Sequence, residues 1–396
     1  MTTKPLKRTM DGKCILISGG LASGGMQTHV TLLCQVLRQA GADVTAASAS
    51  TNWPDEAIAG LKSLGVRVVV SPFGFGRWSF LAKAAAFFLW PLLLRRDYDV
   101  AYCIGEGKMH LWASRFVGKR GWKIYHEIVE CPKRGSVAAE VAVGMDAIVA
   151  NSRSVGQQIE ELLGHLPVRT IPFLTSNAPI HPPAKRIPQR TLRIAFLGRL
   201  VPHKRPERLI EAWPDWAARA PIGPARLDLY GGGPGDEENR FRGRIAELGL
   251  QDSVRVHGAY AIRDLPEIFE EIDIVVLPSI YEGLPLVLVE AMQRGIPVVA
   301  TSAGGTAELG DDNPDVIIAE GTDWDKFAAG LEAMAERVRA GEIDSLRLHG
   351  WTESRYGFQR VAEAWRHALL MPESFFAETA GTTAEAVPIM EHQDEI

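Results

Sequence analysis

Short apolar runs alternate with longer amphipathic stretches along the first half of the chain. Lys13–Ser18 (KCILIS) has the length and composition of a buried strand, and the stretch from about Gln27 to Gln39 has helical spacing. Gly41 is placed to end that helix. Buried strands that alternate with helices are typical of a parallel sheet covered on both faces. The strands predicted in this half are Lys13–Ser18, Asp43–Ala47, Val66–Val70, Val100–Ile104, Lys123–His126 and Ala147–Ala150.

The pattern stops at residues 177–191 and then starts again. The segment from Asn177 to Arg190 contains four prolines and almost no apolar side chains, which is typical of a semi-extended linker. Beyond it, strands are predicted at Leu192–Leu197, Arg226–Tyr230, Val254–His257, Ile274–Leu277 and Pro297–Ala300. The sequence therefore predicts an α/β protein of two doubly wound, Rossmann-like domains that face a central cleft. The predicted segments are a first domain 1–176, the linker 177–191, a second domain 192–350, a helical segment 351–371 and a disordered tail 372–396.

Length and charge narrow the class of protein. The 396 residues suit two domains of about 150–200 residues each, and a net charge of −5 argues against binding nucleic acid through bulk charge. The apolar run after the basic N-terminus is too short for a signal peptide, and the longest apolar stretch, 80–94, is shorter than the roughly 20 residues of a membrane span. Four cysteines without metal-ligand spacing indicate reduced thiols in an intracellular protein: Cys14, Cys34, Cys103 and Cys131. We therefore expect a cytoplasmic protein, with at most peripheral contact at the inner face of the membrane.

The segment 277–308 carries the strongest chemical signal in the chain. A predicted strand ends at Pro278, a loop then carries Glu282, and Pro285 suits the first turn of a helix that Gly295 ends. Glu290 lies one to two turns into that helix. Free N–H groups at a helix N-terminus favour a phosphate, and a carboxylate beside them accepts hydrogen bonds from sugar hydroxyls. This loop is therefore a candidate site for a phosphorylated sugar.

Cations and glycine turns follow other predicted strands. Arg199 can hold a diphosphate through two parallel N–H bonds, and Lys204 adds a point charge to the same group. A glycine turn after a strand, such as 231–233, lets the backbone approach a ligand closely. Gly24 and Gly25 form a similar turn before the first predicted helix.

Taken together, these blocks resemble the signature of glycosyltransferase family 4. Its pattern of Glu, seven intervening residues and Glu, then A-M…G-x-P-V-V-A and G-G…E, is matched in order. The matching residues are Glu282, Glu290, Ala291, Met292, Gly295, Pro297, Val298, Val299, Ala300, Gly304, Gly305 and Glu308. Gly198-Arg199-Leu200 with Lys204 and Leu209-Ile210 is similar to the family's G-R-L…K…L-I block, and Gly231–Pro234 is similar to its G-x-G-P turn. The resemblance covers about residues 13–370 and is dense in the second predicted domain and thin in the first.

The resemblance implies a GT-B fold and a retaining glycosyltransferase that takes a nucleotide diphosphate sugar as its donor. It implies that Glu282 binds hydroxyls of the donor sugar, that Glu290 binds the ribose, and that Arg199 and Lys204 hold the diphosphate. His126 falls where the family places a His near the reacting sugar. The further donor-binding residues, of which 258–260 are expected to line the base, are Gly24, Gly25, Gly198, Gly231, Gly233, Gly258, Ala259, Tyr260, Gly283, Leu284, Pro285, Leu286 and Val287.

Two D-x-D patterns invite a metal-site interpretation, because a different glycosyltransferase fold holds a divalent cation this way. Asp97–Asp99 leads into a predicted strand, and Asp323–Asp325 lies in a late helical segment. Neither pair is near the expected phosphate site, so we interpret both as acids of a turn and of a helix start. We expect no required metal and no cofactor beyond the donor substrate.

The acceptor is less well defined by the sequence. The apolar stretch 79–96 ends in two arginines, and basic and aromatic residues follow it: Lys119, Arg120, Trp122, Lys123, Lys133 and Arg134. They fit contact with an anionic membrane near a lipid-linked acceptor, and they fit equally a core helix beside a solvated basic edge.

The function that we expect is transfer of a sugar to a glycan or lipid-linked acceptor in cell-surface polysaccharide or glycolipid assembly. Electrostatic stabilisation of the leaving diphosphate supplies most of the catalysis in this interpretation. The alternatives are a glycoside phosphorylase, a sugar-nucleotide epimerase of similar fold, and a catalytically inactive scaffold.

Overall fold

The structure is a computed structural model that describes most of the two predicted domains. The described residues are 12–18, 25–48, 53–70, 97–104, 117–127, 144–163, 166–176, 178, 180, 191–219 and 223–377. Several predictions lie outside them: those for Gly24, Cys131, the stretch 79–96, Lys133, Arg134, nearly all of the linker, and the tail 378–396. Of Lys119 and Arg120 only the backbone is described.

The first domain is built on a seven-stranded parallel sheet. Its strands lie in the order β3-β2-β1-β4-β5-β6-β7, so the order reverses between β1 and β4. The strands are almost continuously buried, as expected for a sheet with helices on both faces. Their bounds are β1 Lys13–Ser18, β2 Asp43–Ser48, β3 Arg67–Val70, β4 Tyr98–Ile104, β5 Val117–Glu127, β6 Ala147–Ala150 and β7 Val168–Thr170.

The second domain repeats the plan with a six-stranded parallel sheet. Its strands lie in the order β10-β9-β8-β11-β12-β13, and the order reverses between β8 and β11. The bounds are β8 Leu192–Leu197, β9 Ala225–Tyr230, β10 Val254–Gly258, β11 Ile274–Leu277, β12 Val298–Thr301 and β13 Val316–Ala319. The predicted two-sheet architecture is therefore confirmed. Among the described strands, β7 and β13 were not predicted.

Helices cover both sheets. Those described in the first domain are α1 Gly25–Gln39, α2 Asp55–Ser63 and α3 Arg153–Leu163. Those that follow are α4 Pro206–Ala217, α5 Glu237–Glu247, α6 Leu265–Glu270, α7 Leu286–Gln293, α8 Trp324–Ala340, α9 Ser345–Tyr356, α10 Phe358–Leu370 and α11 Pro372–Ala377. Short 3₁₀ helices span Pro202–Lys204, Ile262–Asp264 and Gly304–Gly310. The predicted helical segment 351–371 is therefore divided between two helices, α9 and α10, which meet at Gly357.

The two C-terminal helices return to the first domain. Trp365 of α10 is fully buried among residues of β1, β4 and α1, and its Nε1 donates to the carbonyl of Pro172 at 2.8 Å. Phe375 and Phe376 of α11 are buried in the same cluster, and Arg169 donates to the carbonyl of Phe375. The prediction of disorder from residue 372 is therefore wrong for 372–377. The tail as a whole is rich in acidic and small residues, which favours disorder. Its first residues nevertheless include Phe375 and Phe376, which pack into the core of the first domain.

Candidate active site

The candidate site lies at the carboxyl edge of the second sheet, where the strand order reverses. Ligands of open parallel sheets bind at this point, because the loops after the two central strands diverge there. The loop after β8 carries Arg199 and Lys204, and the loop after β11 carries Glu282. The topology thus brings together two segments that lie far apart in the sequence.

Three predicted glycines line this edge on adjacent strands. Gly198, Gly231 and Gly258 follow or end β8, β9 and β10, and Gly231 donates to the carbonyl of Gly258 at 2.8 Å. A Cβ on Gly231, whose φ is 144°, would lie within 3.0 Å of the carbonyl oxygen of Gly198. A Cβ on Gly258, whose φ is 84°, would lie 2.7 Å from Oε2 of Glu238. Glycine is therefore required at 231 by both backbone conformation and space, and at 258 by backbone conformation.

Lys204 and Glu282 form an ion pair across the two loops. Nζ of Lys204 lies 2.5 Å from Oε1 of Glu282, and Oγ of Ser279 donates to the same oxygen at 2.7 Å. Both charged side chains are mostly buried, with exposed fractions of 14% and 12%. The ammonium and the carboxylate are thus held in fixed positions at the switch point of the sheet.

A stacked ring pair ties the same two loops together at the surface. The rings of His203 and Tyr281 lie 4.4 Å apart and are nearly parallel, and the N–H of Ile280 donates to the carbonyl of His203 at 2.7 Å. Burial lowers the pKa of His203, and the charges of Lys204 and Arg199 lower it further against the opposing effect of Glu282. Arg199 itself is exposed. The loop after β8 therefore presents a cluster of positive charge.

Glu290 occupies a different environment from Glu282. It lies in α7 with only 9% of its surface exposed, close enough to Tyr260 that its charge contributes, after burial, to raising the pKa of the Tyr260 phenol. Burial raises the pKa of Glu290 to about 7, and Arg294 opposes that rise. Glu290 and Tyr260, two of the predicted donor-binding residues, are thus neighbours.

The N-termini of α1 and α7 meet across the two domains. A Cβ on Gly25 would lie 2.8 Å from Cδ1 of Leu286, so the glycine allows the first turns of both helices to approach. Pro285 lies just before α7 as its N-cap, not within its first turn as predicted. Helix N-termini carry partial positive charge, so the meeting of these two N-termini favours an anion there.

Comparison with known proteins matches both domains to glycosyltransferases. The family described as "Glycosyl transferases group 1" matches residues 178–338, and "Glycosyltransferase Family 4" matches residues 23–173. Together the two matches span most of the chain and identify it as a glycosyltransferase, with a second domain of group 1 and a first domain of family 4.

Solved glycosyltransferase structures share its fold. An Anabaena protein, HepE, in complex with UDP and glucose has a TM-score of 0.71 at 19% identity, over 90% of this chain and 99% of that one. Sucrose-phosphate synthase from Thermosynechococcus elongatus has a TM-score of 0.72 at 18% identity, over 92% and 99% of the two chains. Mannosylfructose-phosphate synthase of Agrobacterium fabrum is 36% identical over 89 residues, a match that spans 21% of this chain and 19% of that protein. The glycosyltransferase thus has a GT-B fold of two parallel-sheet domains.

His126 belongs to the first domain of this glycosyltransferase, whereas most of the other predicted site residues belong to the second. It is the penultimate residue of β5 and is fully buried, with its ring 5.1 Å from that of Phe173 and 5.0 Å from that of Trp365. Burial lowers its pKa well below the usual range, and His29 lowers it further. The sequence placed His126 correctly at a strand end, but its enclosure depends on α10, which arrives more than two hundred residues later.

Part of the loop before α7 makes contacts within the protein itself. The carbonyl of Gly283 accepts the N–H of Gly305 at 2.7 Å, and the side chain of Leu284 is buried in the core of the second domain. Val287 packs partly buried against that core. Gly233 is close-packed, since a Cβ there would lie 2.8 Å from the carbonyl oxygen of Leu200. These glycines and apolar residues shape the loops that carry the charged groups.

Sequence reasoning assigned no role to Ser279 or Glu238. Ser279 orients Glu282, and the carboxylate of Glu238 lies against Gly258 on the strand edge where the base is expected. Ser279 lies only three residues before Glu282, so its contact with that carboxylate could have been predicted from the sequence. The position of Glu238 could not have been predicted in this way, because Glu238 reaches the site only through the packing of α5.

Both D-x-D patterns have structural roles. Asp99 accepts the N–H of Lys13 at 3.0 Å, which joins β4 to β1. Asp323 is the N-cap of α8 and accepts the N–H groups of Asp325 and Lys326. Within the described ranges, no group of three or more His, Cys, Asp and Glu side chains is placed to hold a metal ion.

Two residues of the basic, aromatic region near the acceptor side are described with their contacts. Trp122 stacks on Phe376 at 5.8 Å, and Lys123 lies 3.9 Å from Asp146. Of the helices in the described part of the chain, none is both long and apolar enough to cross a bilayer.

Proposed function

We propose that this glycosyltransferase transfers a sugar, with retention at the anomeric carbon, from a nucleotide diphosphate donor to a glycan or lipid-linked acceptor. Assembly of a cell-surface polysaccharide or glycolipid in the cytoplasm, at or near the inner membrane face, is the setting that we infer. The observation that carries the proposal is the Lys204–Glu282 pair at the switch point of the second sheet.

The positive groups suit a leaving diphosphate. Lys204 and Arg199 lie on one loop, and the N-termini of α1 and α7 approach each other at Gly25 and Leu286. Fixed charges and dipoles stabilise the developing charge without reorganising during the reaction. This arrangement supports departure of the diphosphate without a required metal ion.

The two glutamates support different roles on the donor. Glu282 is held by Lys204 and Ser279, so its remaining lone pairs suit hydroxyls of the transferred sugar. Glu290 lies beside Tyr260, on the side where the base and ribose are expected. An ion-paired Glu282 is a poor covalent nucleophile, which favours substitution from the same face as the departing diphosphate.

The solved neighbours suggest which donor and acceptor to test first. HepE was solved with UDP and glucose and also with UDP-glucose, and a TarM variant was solved with Fondaparinux, alpha-GlcNAc-glycerol and UDP. We therefore propose a UDP-sugar as the first donor to test and a glycan as the first acceptor.

Calorimetric titration with UDP, GDP, ADP and inorganic phosphate tests the donor site. We expect one nucleoside diphosphate to bind, and Arg199→Ala and Lys204→Ala to weaken its binding about 10- to 100-fold, since each removes a charged hydrogen-bond donor. Lys326→Ala is the matched control, because Lys326 pairs with Glu320 on the exposed surface of the same domain.

Three outcomes would contradict the proposal. Equal binding by wild type and the Lys204→Ala variant would remove the assigned role of that lysine. Binding of phosphate alone would favour a glycoside phosphorylase, and interconversion of free sugar nucleotides would favour an epimerase. Absence of any binding would favour an inactive scaffold.

A further inference from the structure

Three buried polar rings of the first domain form a continuous chain of hydrogen bonds. The N–H of Leu174 donates to Nδ1 of His29 at 3.1 Å. Nε2 of His29 lies 3.1 Å from the hydroxyl of Tyr102, and that hydroxyl lies 2.6 Å from Nδ1 of His126. His29, Tyr102 and His126 are all 0% exposed.

The backbone end sets the direction of every bond in this chain. A backbone N–H can only donate, so Nδ1 of His29 is the acceptor and the proton of that ring is on Nε2. Nε2–H of His29 then donates to the hydroxyl of Tyr102, whose own proton points to Nδ1 of His126. Nδ1 of His126 is therefore unprotonated, and its proton is on Nε2.

Burial keeps the three groups in the neutral forms that this assignment needs. It lowers the pKa of His29 to about 3 and lowers the pKa of His126 well below the ordinary value. It raises the pKa of the Tyr102 phenol, so the hydroxyl keeps the proton that it donates. Neither imidazole carries a second proton that would reverse a bond.

This series of hydrogen bonds ends at Nε2 of His126, a buried donor that has no acceptor among the described residues. Nε2 of His126 is enclosed and makes no hydrogen bond to any described atom. His126 is paired with Ile104, the last residue of β4, at the carboxyl edge of the first sheet. An unmet donor in such a position is costly unless a ligand supplies the acceptor.

We propose that Tyr102 and His29 are positioning residues for the transfer reaction, because they hold His126 as the tautomer that offers Nε2–H to an oxygen of the substrate. The inference rests on the proposed function. His126 donates a hydrogen bond in this scheme and transfers no proton. Tyr102 and His29 act only through His126.

Nitrogen-15 NMR of the histidine side chains tests the tautomers directly and needs no activity. In the wild-type protein, we expect both His29 and His126 to show a protonated Nε2 and an unprotonated Nδ1. Tyr102→Phe keeps the ring and removes the hydroxyl, so His126 should become a mixture of tautomers. A protonated Nδ1 on His126 in the wild-type protein would overturn the proposal, even if every variant failed to fold.

Steady-state kinetics with a matched control tests the consequence. We expect Tyr102→Phe to lower kcat about 10- to 100-fold while the calorimetric Kd of the nucleoside diphosphate changes less than about twofold. Tyr98→Phe is the control, since the Tyr98 hydroxyl is also buried on β4 and bonds Oγ1 of Thr45 at 3.1 Å. An equal loss of kcat in the two variants would make the role of Tyr102 purely structural and would overturn the proposal.

Donor titration separates this proposal from the proposed function. Adding the nucleotide sugar should shift the Nε2 signal of His126. If calorimetry shows that the donor binds and this signal does not move, the proposal for His126 fails and the donor site stands. If the donor does not bind at all, the proposed function fails. The tautomers of His29 and His126 still decide whether Tyr102 and His29 fix the protonation of His126.

Discussion

At the residue scale, the two predicted glutamates of the donor site differ in what surrounds them. Glu282 is paired with a lysine and accepts a serine hydroxyl, whereas Glu290 is enclosed in α7 beside the phenol of Tyr260. The sequence motif places both residues but does not distinguish their environments. The difference comes from the loop after β8, which reaches Glu282 and not Glu290.

Glu290 gives a pH-dependent prediction. Burial raises its pKa from an ordinary value of about 4.5 to about 7, so the folded state binds more protons than the unfolded state between these pH values. The contribution of Glu290 to the free energy of unfolding is therefore full below about pH 4.5 and is lost as the pH rises through about 7. Relative to Glu290→Gln, we expect the stability of wild type to fall over this range by about 3 kcal/mol at most.

Urea denaturation of both proteins at several pH values between 4.5 and 8 measures this difference. Glu336→Gln, which changes an exposed carboxylate of α8, is the control and should follow wild type throughout. Parallel pH profiles for wild type and Glu290→Gln would show that Glu290 is not buried as an acid of raised pKa.

At the element scale, the predictable parts are those with local signals. Buried runs such as Leu192–Leu197 and Ile274–Leu277 coincide with β8 and β11, and most of the predicted helical segment 351–371 lies in α10. The strand β7, of three residues, is too short for its pattern to separate it from a loop, whereas β13 (VIIA) has the same length and apolar character as β11 and could have been predicted. The site residues divide in the same way. Lys204 and Glu282 belong to local motifs and could be predicted, whereas the enclosure of His126 by α10 is a non-local contact and could not.

Two glycines in different elements should respond oppositely to alanine. Gly243 lies inside α5, and a Cβ there would meet no heavy atom within 4 Å, so Gly243→Ala should stabilise by about 0.5–1 kcal/mol. Gly305 is the second residue of the 3₁₀ helix Gly304–Gly310, and a Cβ there would lie within 3.0 Å of both the Gly283 carbonyl and Ser152. Gly305→Ala should destabilise by about 1–3 kcal/mol. Urea denaturation measures both, and a stable Gly305→Ala variant would contradict the close packing.

At the scale of the whole molecule, both apolar and polar contacts join the domains. The helices α10 and α11 extend from the second domain into the core of the first. On the other side, Glu308 of the second domain accepts the N–H of Ser154 at 3.1 Å and pairs with Arg153 at the start of α3. Arg153 also pairs with Asp311. The first set is a permanent apolar connection, and the second consists of polar contacts that a domain motion can break.

The contacts of Glu308 give a prediction about domain arrangement. Burial raises the pKa of Glu308, and the Ser154 N–H and Arg153 oppose this effect, so the carboxylate is held mainly by the first domain. Glu308→Ala removes that hold and should increase the radius of gyration in solution scattering. We expect kcat to fall about tenfold or more, because the acceptor-side domain is no longer aligned with the donor.

Donor binding should survive the same substitution, because Lys204, Glu282 and Glu290 all belong to the second domain. We therefore expect the Kd of the nucleoside diphosphate to change less than about twofold while kcat falls. Glu320→Ala, which removes the surface partner of Lys326, should change neither quantity. If Glu308→Ala matched this control in both scattering and kcat, the contacts at Arg153 and Ser154 would not hold the domains in their working arrangement. The alignment would then rest on α10, α11 and the remaining contacts between the domains, such as that of Gly25 with Leu286.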